Sequence, residues 1–209
     1  MRSSDWDQRY AQAGFVWTPE PNRWVVDELA SLSPGRALDL GAGEGRNAIW
    51  LAARGWTVTA VDFSQVGLDK GRHHAAAHAP AAAERITWVE ADVLTYRPAV
   101  AGFELVLLAY LHLVAPDRRH VLRQAAGALA PGGVLLVIGH DLTNLTDGLG
   151  GPQDPAVLYT PEMVVADIAP GDLVVERAER VHRPVAVEGG QRLAVDALIR
   201  ARRGGVSAT

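Results

Sequence analysis

The sequence of 209 residues contains no cysteine, so disulfide bonds and metal sites built on thiolates are excluded. It also lacks a run of about 18 apolar residues, the length that a membrane-spanning helix needs. The opening segment, MRSSDWDQRY, has no apolar core of the kind found in secretory signal peptides. We therefore expect a cytoplasmic protein that does not engage a membrane.

Clusters of basic residues are missing as well. The formal net charge is −4, and no block of lysine and arginine stands out. A nucleic-acid partner would favour a basic face. The sequence therefore predicts a small-molecule partner and no nucleic acid, and no pattern indicates an oligomeric state.

Strand and helix patterns alternate through the middle of the chain. Continuous apolar runs predict strands at 36–40, 56–61, 86–90, 103–110 and 134–140. Helical spacing predicts helices at 4–13, after the N-cap Asn22, and at 46–54, 65–79 and 116–130. Continuously apolar strands separated by helices are typical of a parallel sheet that is covered on both faces.

The last quarter of the chain has a different pattern. Thr160 and Pro161 begin a short helix, and the segments 173–181 and 192–201 alternate apolar and polar residues around a turn. This predicts an antiparallel hairpin that closes the sheet edge. The turn-rich segment 143–159 is predicted to have no helix or strand and to close over the substrate.

We expect a single domain throughout. Its predicted parts are a helical cap at 1–33, a cofactor-binding core at 34–142, a substrate loop at 143–159, and a closing helix and hairpin at 160–209.

Three glycines, Gly41, Gly43 and Gly45, lie between the first predicted strand and the helix that follows it. Glycine permits positive φ and close approach of a ligand, and a helix N-terminus offers unpaired N–H groups. Ligands of open parallel sheets bind at this edge, beyond the carboxyl ends of the strands. The dinucleotide fingerprint needs its third glycine at position 46, which is arginine here. This disfavours a nicotinamide cofactor.

Acidic residues follow the strands at the same edge. Asp62 lies about 20 residues beyond the first glycine, where a carboxylate accepts hydrogen bonds from ribose hydroxyls. Asp92 is placed to accept from an exocyclic amine, and Asp39 to pair with an ammonium group. Glu44, between the glycines, is expected to point into solvent. With no lysine nearby, these carboxylates favour a ligand that has a cationic part.

The segments LDLGAGEGRNA, VTAVDFS, ADV and ALAPGGVLLVIGHD resemble the successive motifs of class I S-adenosylmethionine-dependent methyltransferases. The opening WDQRYAQAGFVW is more loosely similar to that of the thiopurine and tellurite-resistance type enzymes, which bind small substrates. The resemblance implies an α/β fold with a Rossmann-like seven-stranded, mostly parallel sheet and a C-terminal antiparallel hairpin. It also implies methyl transfer from S-adenosyl-L-methionine to a small molecule, with S-adenosyl-L-homocysteine as product.

By this resemblance, cofactor contacts fall on Gly41, Ala42, Gly43, Asn47, Asp62, Phe63, Asp92 and Val93. We add Asp39, Ser64, Ala109 and Trp17 to the predicted cofactor site. Trp17, with Trp6, Arg9 and Tyr10, forms either a lid over the cofactor or a plain packing helix. Aromatic cover would suit a sulfonium through cation–π attraction.

Candidate catalytic residues follow the fourth and fifth predicted strands. His112 comes after the fourth strand, and His140 ends the fifth, next to Asp141. Because histidine can be neutral near pH 7, either can accept a proton from an acceptor group. The alternative is a pair of core or rim histidines bonded to backbone. No metal site is expected, since His74 and His78 are interpreted as part of a solvated helix face.

Two other functions stay open at this point. One is a nicotinamide-dependent oxidoreductase, disfavoured by Arg46 and by the closing hairpin. The other is a non-catalytic protein that binds S-adenosylmethionine or a partner, because fold does not imply function.

Overall fold

A computed structural model describes residues 3–12, 14–170 and 172–205 of the chain, and its organising element is one seven-stranded sheet. The strands are β1 (Arg36–Leu40), β2 (Thr57–Asp62), β3 (Ile86–Glu90), β4 (Phe103–Ala109), β5 (Leu129–His140), β6 (Leu173–Val187) and β7 (Gly190–Arg203). Their spatial order is β3-β2-β1-β4-β5-β7-β6. The first five strands pair in parallel, and β7 runs antiparallel to both β5 and β6. The predicted fold class is confirmed.

Helices cover both faces of the sheet. They are α1 (Ser3–Tyr10), α2 (Arg23–Leu29), α3 (Arg46–Ala53), α4 (Gln65–His78), α5 (Pro80–Ala83), α6 (Ala115–Ala128), α7 (Asn144–Asp147) and α8 (Pro161–Ile168), with a 3-10 turn at Pro155–Val157. Apolar residues of α2, α3, α4 and α5 pack on one face, and those of α6 and α8 pack on the other. This two-sided burial explains why the parallel strands are apolar without alternation.

Local sequence sets several helix starts. The Asn22 side chain accepts from the Trp24 N–H at 2.9 Å and begins α2. Thr160 accepts from the Met163 N–H at 3.4 Å and begins α8, with Pro161 in its first turn. Both predicted caps are confirmed, because side-chain oxygens satisfy N–H groups that have no partner within the helix.

Some predicted boundaries are wrong. The helix predicted over 116–130 ends at Ala128, and β5 begins at Leu129 instead of residue 134, because Leu129 already pairs with Phe103. The hairpin strands are also longer than predicted, since β6 and β7 pair, with a register shift between Val175 and Arg177, as far as a turn at Glu188 and Gly189. The first helix ends at Tyr10, and Ala13 of the predicted range lies outside the described residues.

The segment 143–159 was wrongly predicted to have no helix of its own. It contains α7 and the 3-10 turn, which begins where the Asp154 carboxylate accepts from the Ala156 N–H at 2.9 Å, with Pro155 in the first position. Residues that signal turns thus act here as helix caps.

Among residues 3–12, 14–170 and 172–205, no helix has both the length and the apolar character needed to cross a bilayer.

Candidate functional site

The carboxyl ends of the parallel strands and the glycine loop form the candidate site. The loop turns tightly after β1, where the Gly41 and Ala42 N–H groups both donate to the Val61 carbonyl, at 2.9 and 3.0 Å. Gly43 lies directly under the ring of Tyr10, and a Cβ there would come within 2.6 Å of the Tyr10 hydroxyl. A side chain at position 43 would therefore displace Tyr10.

Asp62, at the end of β2, fixes this loop. One carboxylate oxygen accepts from the Gly43 N–H at 2.8 Å, and the other accepts from the Ser64 N–H at 2.9 Å. Burial raises the pKa of Asp62, and these backbone donors act in the opposite direction. The carboxylate predicted for ribose thus also holds the glycine loop in shape.

Asp39, near the end of β1, has a buried carboxylate oxygen, Oδ2, without a hydrogen-bond partner in the described part of the chain. Burial and the neighbouring Asp62 charge raise the pKa of Asp39 to about 7, and Arg46 opposes them. A buried acceptor without a partner is costly unless a ligand supplies a donor. Asp39 is therefore suited to a ligand ammonium group, as predicted from its position.

The other predicted cofactor residues are arranged around this centre. Asp92 is exposed, and one of its oxygens accepts from the Leu94 N–H at 2.9 Å. Asn47 is buried, and its side-chain oxygen accepts from the Asn22 N–H at 2.9 Å, which ties α3 to the start of α2. The remaining members of this group, half-buried, are Ala42, Phe63, Val93 and Ala109.

The expectation that Glu44 points into solvent is wrong. Glu44 is only 4% exposed, and its carboxylate accepts from the N–H groups of Val16, at 3.0 Å, and Trp17, at 3.4 Å. Lys70 lies 2.6 Å from the same carboxylate, so the expectation of a site without nearby lysine is also wrong. The Glu44 charge can be buried because several donors contact it. These donors lie outside the loop, so the sequence of the loop alone does not reveal them.

Lys70 also donates to the Tyr10 carbonyl at 2.9 Å, and the Ser64 hydroxyl donates to Asp7 at 2.5 Å. Together with the Glu44 contacts, these bonds hold residues 7–12 and 14–17 over the glycine loop. We call these residues the N-terminal cover. Within the cover, the Tyr10 side chain lies against Gly43 of the glycine loop.

Aromatic side chains line the cover. The Arg9 guanidinium lies 5.1 Å from the ring centroids of both Trp6 and Trp17, and Trp6 stacks on Tyr10 at 5.4 Å. Trp17 stays 45% exposed. The sequence left a lid and a packing helix as alternatives. The contacts of Tyr10 with the glycine loop support a lid.

The two predicted catalytic histidines lie together where β4 and β5 end. Their rings are nearly parallel, with centroids 5.4 Å apart, and the His140 backbone N–H donates to His112 Nε2 at 3.1 Å. Burial and the neighbouring His140 lower the pKa of His112 to about 4. His112 is therefore neutral at working pH, and its Nε2 lone pair is already engaged.

Asp196, on β7, faces His140 across the sheet. The two residues are paired in register, and His140 Nδ1 lies 3.3 Å from Asp196 Oδ1. Neither atom has another partner among the described residues. A carboxylate at Nδ1 favours the tautomer that carries its proton there, which leaves Nε2 as the basic nitrogen.

The other oxygen of Asp196 accepts from three donors. They are Tyr110 OH at 2.7 Å, Arg183 Nε at 3.0 Å and Trp24 Nε1 at 3.1 Å. Burial acts to raise the pKa of Asp196, but these partners and His140 together hold it below its usual value. Asp196 is therefore an anion with a fixed orientation, which no sequence motif announced. The available signal was a single acidic residue inside the apolar run AVDALI.

Tyr110 reaches this network through an uncommon backbone conformation. Its φ of 59° lies in the left-handed region, which is disfavoured for an aromatic residue. The ring then packs 5.0 Å from the His140 ring, edge to face. Strained backbone concentrates at functional sites, so the conformation of Tyr110 supports a role for this cluster.

Asp141, the third predicted catalytic residue, is fully buried on the other side of His140. Its Oδ1 accepts from Arg180 Nε at 3.0 Å and from Thr143, through both the N–H at 2.8 Å and the hydroxyl at 2.7 Å. These bonds anchor the start of the segment 143–159. Asp141 does not share the His140–Asp196 contact.

The segment 143–159 folds back over His140. Asn144 accepts from the Val195 N–H and donates to the Gly150 carbonyl, each at 2.8 Å. Gly151, with φ of 77°, lies so close to His140 that a Cβ would come within 2.8 Å of its Nε2. Access to the basic nitrogen therefore depends on this segment.

His74 and His78 lie on one face of α4 with stacked rings 4.4 Å apart. His78 bonds the His74 carbonyl, and Phe15 packs edge-on against His74 at 4.8 Å. Within the described ranges, no group of three histidine, cysteine, aspartate or glutamate residues is placed to hold a metal ion.

Parts of the chain are similar to known proteins. Residues 37–133 match the family model of a methyltransferase domain. An uncharacterized methyltransferase of Mycobacterium tuberculosis is 35% identical over 126 residues, which is 60% of this chain and 60% of the relative. The 27-O-demethylrifamycin SV methyltransferase of Amycolatopsis mediterranei is 36% identical over 117 residues, covering 53% and 42% of the two chains. The chain thus spans 60% and 42% of the length of these two curated relatives.

A solved structure, reported for the conversion of a disulfide bond into a thioacetal group during echinomycin biosynthesis, is similar along almost the whole chain. Its TM-score is 0.72 at 21% identity, with 99% of this chain and 94% of the other covered. At this identity the likeness concerns the fold. Residues 37–133 are thus similar to a methyltransferase domain, and the chain has the fold of that solved structure.

Proposed function

We propose that the protein transfers the methyl group of S-adenosyl-L-methionine to a small molecule, with His140 as general base. The observation that carries this proposal is the contact of His140 with Asp196 at the same sheet edge as the glycine loop. The cofactor supplies an activated methyl group when bound. The chain has to bind it, orient the acceptor and remove a proton.

The residues present fit the cofactor. Asp39 offers an unpartnered buried oxygen to the ammonium of its methionine part, and Asp62 would receive the ribose hydroxyls. Asp92 and Val93 would meet the adenine, which Phe63 would cover. Gly41, Ala42 and Gly43 would contact the cofactor along the loop, where glycine permits close approach of a ligand to the backbone. The N-terminal cover, with Tyr10 and Trp17, would exclude water from the bound cofactor.

The histidines receive different roles. His140 Nε2 is the proposed proton acceptor, because Asp196 occupies the Nδ1 side of the ring. His112 is the positioning residue, since its own Nε2 accepts from the His140 backbone. Asp141 anchors the segment over the site. This arrangement serves a hydroxyl or protonated amine acceptor, whose proton must leave during transfer.

A small-molecule acceptor is supported by the similarity to the 27-O-demethylrifamycin SV methyltransferase of Amycolatopsis mediterranei. The net charge of −4 and the absence of basic clusters in the sequence disfavour nucleic acid. We also propose a cytoplasmic location, with which a sequence without cysteine is compatible.

Calorimetry with S-adenosyl-L-homocysteine and with NAD tests the cofactor. Binding of the former and not of NAD is expected. Transfer of labelled methyl groups to a panel of small phenols, alcohols and amines then tests the reaction. His140→Ala should lower turnover by about 100-fold and leave S-adenosyl-L-homocysteine affinity near that of the wild type. His182→Ala, an exposed histidine on the same hairpin, is the matched control.

Three outcomes would contradict the proposal. Binding of NAD alone would support an oxidoreductase. Cofactor binding without methylation of any acceptor would support a non-catalytic protein. Full activity of the double variant His140→Ala/His112→Ala would remove the base and leave positioning as the whole mechanism.

A further inference from the structure

Three side chains donate to Asp196 Oδ2, and they differ in how firmly each donor is held. Arg183 Nε is shared between Asp196, at 3.0 Å, and the Tyr110 hydroxyl, at 3.3 Å, and the Arg183 side chain is 25% exposed. Tyr110 is half-buried. Trp24 is only 8% exposed, and the single N–H of its indole donates to Asp196 at 3.1 Å. Trp24 is therefore the donor with the least freedom to turn away.

The start of α2 fixes the backbone of Trp24. Its backbone N–H donates to Asn22 Oδ1 at 2.9 Å, and the Asn22 N–H donates to Asn47 Oδ1, also at 2.9 Å. Both asparagines are buried, and Asn47 lies in the first turn of α3, the helix that follows the glycine loop. Hydrogen bonds therefore connect that helix, through Trp24, to Asp196.

The ring of Trp24 is held by packing. It belongs to one core cluster with Val181 of β6 and Leu198 of β7, and the Arg23 guanidinium lies 4.6 Å from its ring centroid. Because protein cores are close-packed, a large ring in such a cluster has little room to rotate. The direction of the indole N–H is therefore fixed.

Bonds to one oxygen of Asp196 determine where the other oxygen lies, because a carboxylate is planar. Oδ1 lies 3.3 Å from His140 Nδ1 and has no other partner in the part of the chain that the structure describes. If Oδ2 loses a donor, the carboxylate can rotate more freely, and Oδ1 then spends less time beside Nδ1. A proton on Nδ1 would lose its acceptor. The donors to Oδ2 therefore control which nitrogen of neutral His140 carries the proton.

We propose that Trp24 is a positioning residue for the general base. Its indole N–H holds Asp196 in the orientation that keeps the proton of neutral His140 on Nδ1 and leaves Nε2 free to accept one. This role rests on the proposed function of His140, and Trp24 acts only through Asp196. Because Trp24 is also tied to Asn47, the base keeps a fixed position relative to the helix beside which the methyl donor is proposed to bind.

Trp24→Phe tests this role, because it removes the indole N–H and keeps both an aromatic ring and the backbone N–H that bonds Asn22. Trp56→Phe is the matched control. Trp56 is 2% exposed in the same core cluster and is not among the donors to Asp196. Circular dichroism checks the fold of both variants.

Nitrogen-15 NMR of the histidine rings is the measurement, since it distinguishes a ring nitrogen that carries a proton from one that does not. In neutral His140 of the wild type, the form protonated on Nδ1 should predominate. Its ratio to the form protonated on Nε2 should fall roughly threefold or more in Trp24→Phe, as part of a charge-assisted contact is lost. The ratio should stay at the wild-type value in Trp56→Phe, and both variants should keep their affinity for S-adenosyl-L-homocysteine within about twofold.

An unchanged ratio in Trp24→Phe, or an equal fall in Trp56→Phe, would overturn the role of Trp24. If Trp24→Phe does not fold, the wild type supplies the answer. A hydrogen bond to a carboxylate moves an indole proton downfield, so the Trp24 indole proton should lie downfield of that of Trp56, and the reverse order would overturn the role.

These measurements need neither an acceptor nor turnover, so they are independent of the test of methyl transfer. Failure of the Trp24 role would leave the results for cofactor binding and for His140→Ala unchanged. Full activity of His140→Ala would instead contradict the proposed function, whatever the tautomer ratio.

Discussion

The proposed site has two parts that are built differently: a cofactor half, formed by the glycine loop, Asp39, Asp62 and Asp92, and an acceptor half, formed by Tyr110, His112, His140 and Asp196. At the centre of the cofactor half, Asp62 bonds Gly43 and Ser64, which are only 19 and 2 residues away. In the acceptor half, Asp196 bonds Trp24 from 172 residues away and Tyr110 from 86. The first half is a local motif. The second half is assembled by the tertiary fold.

Because of this difference, the two halves suit different kinds of ligand. The shape of the glycine loop depends mainly on the strand and the helix that it joins. Such a loop suits a ligand that many proteins bind. A cluster gathered from α2, β4, β5, β6 and β7 changes with any of these elements, so it suits an acceptor particular to one protein. Mutations in the two halves should therefore separate cofactor affinity from turnover.

The largest separation is expected from Asp196→Asn. The variant keeps the size of the side chain but removes the anion that orients His140, so turnover should fall by about 100-fold or more. The dissociation constant of S-adenosyl-L-homocysteine should change by less than about twofold, because Asp196 lies outside the cofactor half. Steady-state kinetics and calorimetry measure the two quantities, and circular dichroism checks the fold. A parallel loss of both would show that the halves are coupled.

Asp62→Ala should have the converse effect. It removes the proposed ribose acceptor and leaves the Gly43 and Ser64 N–H groups without their partner. Because a charge-assisted hydrogen bond contributes about 1.5–3 kcal/mol, affinity for S-adenosyl-L-homocysteine should fall at least roughly tenfold. The conservative control is Asp62→Asn, which retains one acceptor oxygen and should lose less. Unchanged affinity in the alanine variant would mean that another residue holds the ribose.

The pH dependence of cofactor binding sharpens the comparison further. Asp39, with a pKa of about 7, has to ionise before it can pair with the ammonium. Affinity for S-adenosyl-L-homocysteine should therefore be about tenfold higher at pH 8 than at pH 6. 5′-Methylthioadenosine, which has no ammonium, should show no such rise, and Asp39→Asn should flatten the profile for S-adenosyl-L-homocysteine. A rise that persists in this variant would assign the effect to another group.

The raised pKa of Asp39 has an opposite consequence for folding. Between its unfolded value near 4 and about 7, the native state binds more protons than the unfolded state. The free energy of unfolding should therefore decrease as pH rises through this window. Asp39→Asn should lose that decrease, which thermal unfolding between pH 4 and pH 8 would reveal.

The smallest effect is expected from Glu44→Gln, which loosens the N-terminal cover. It loses the Lys70 ion pair and keeps only a neutral acceptor for the Val16 and Trp17 N–H groups. Dissociation of S-adenosyl-L-homocysteine should accelerate several-fold, roughly 3- to 10-fold, while turnover falls less. Amide exchange of residues 14–17 should rise. Unaltered exchange would show that other contacts hold the cover.

The sequence predicted the fold well for a physical reason, and it located the glycine loop between the first strand and the helix that follows it. Strands that are buried on both faces are continuously apolar, and the loop contains closely spaced glycines. Both patterns can be recognised within short windows of sequence. The His112–His140 pair was also found, because both residues end neighbouring strands. Asp141, predicted as a catalytic residue because it adjoins His140 in sequence, bonds Arg180 and Thr143 instead of His140, since neighbours along a strand point to opposite faces. The residue that does face His140, Asp196, becomes its neighbour only through the register of β5 with β7.

Glu44 and Arg183 were missed for related reasons. Glu44 would be solvated in an isolated loop, and its burial depends on Lys70 and on backbone groups of the N-terminal cover. Arg183 lies in a strand whose alternating charges are typical of a solvent-exposed edge. The ion-pair partners, Lys70 for Glu44 and Asp196 for Arg183, lie outside the local sequence of each residue. No local pattern therefore predicts these contacts.

The position of β7 in the sheet also has a consequence for the order of synthesis. β7 occupies the space between β5 and β6, and it carries Asp196 near the end of the described chain. While a ribosome is still translating residues beyond β5, the nascent chain already holds the glycine loop, Asp62 and Asp92 but has neither Asp196 nor Arg183. We expect such a chain to acquire the cofactor half before the acceptor half. Stalled chains of increasing length, probed with S-adenosyl-L-homocysteine and with the acceptor, would show whether affinity for the first appears earlier.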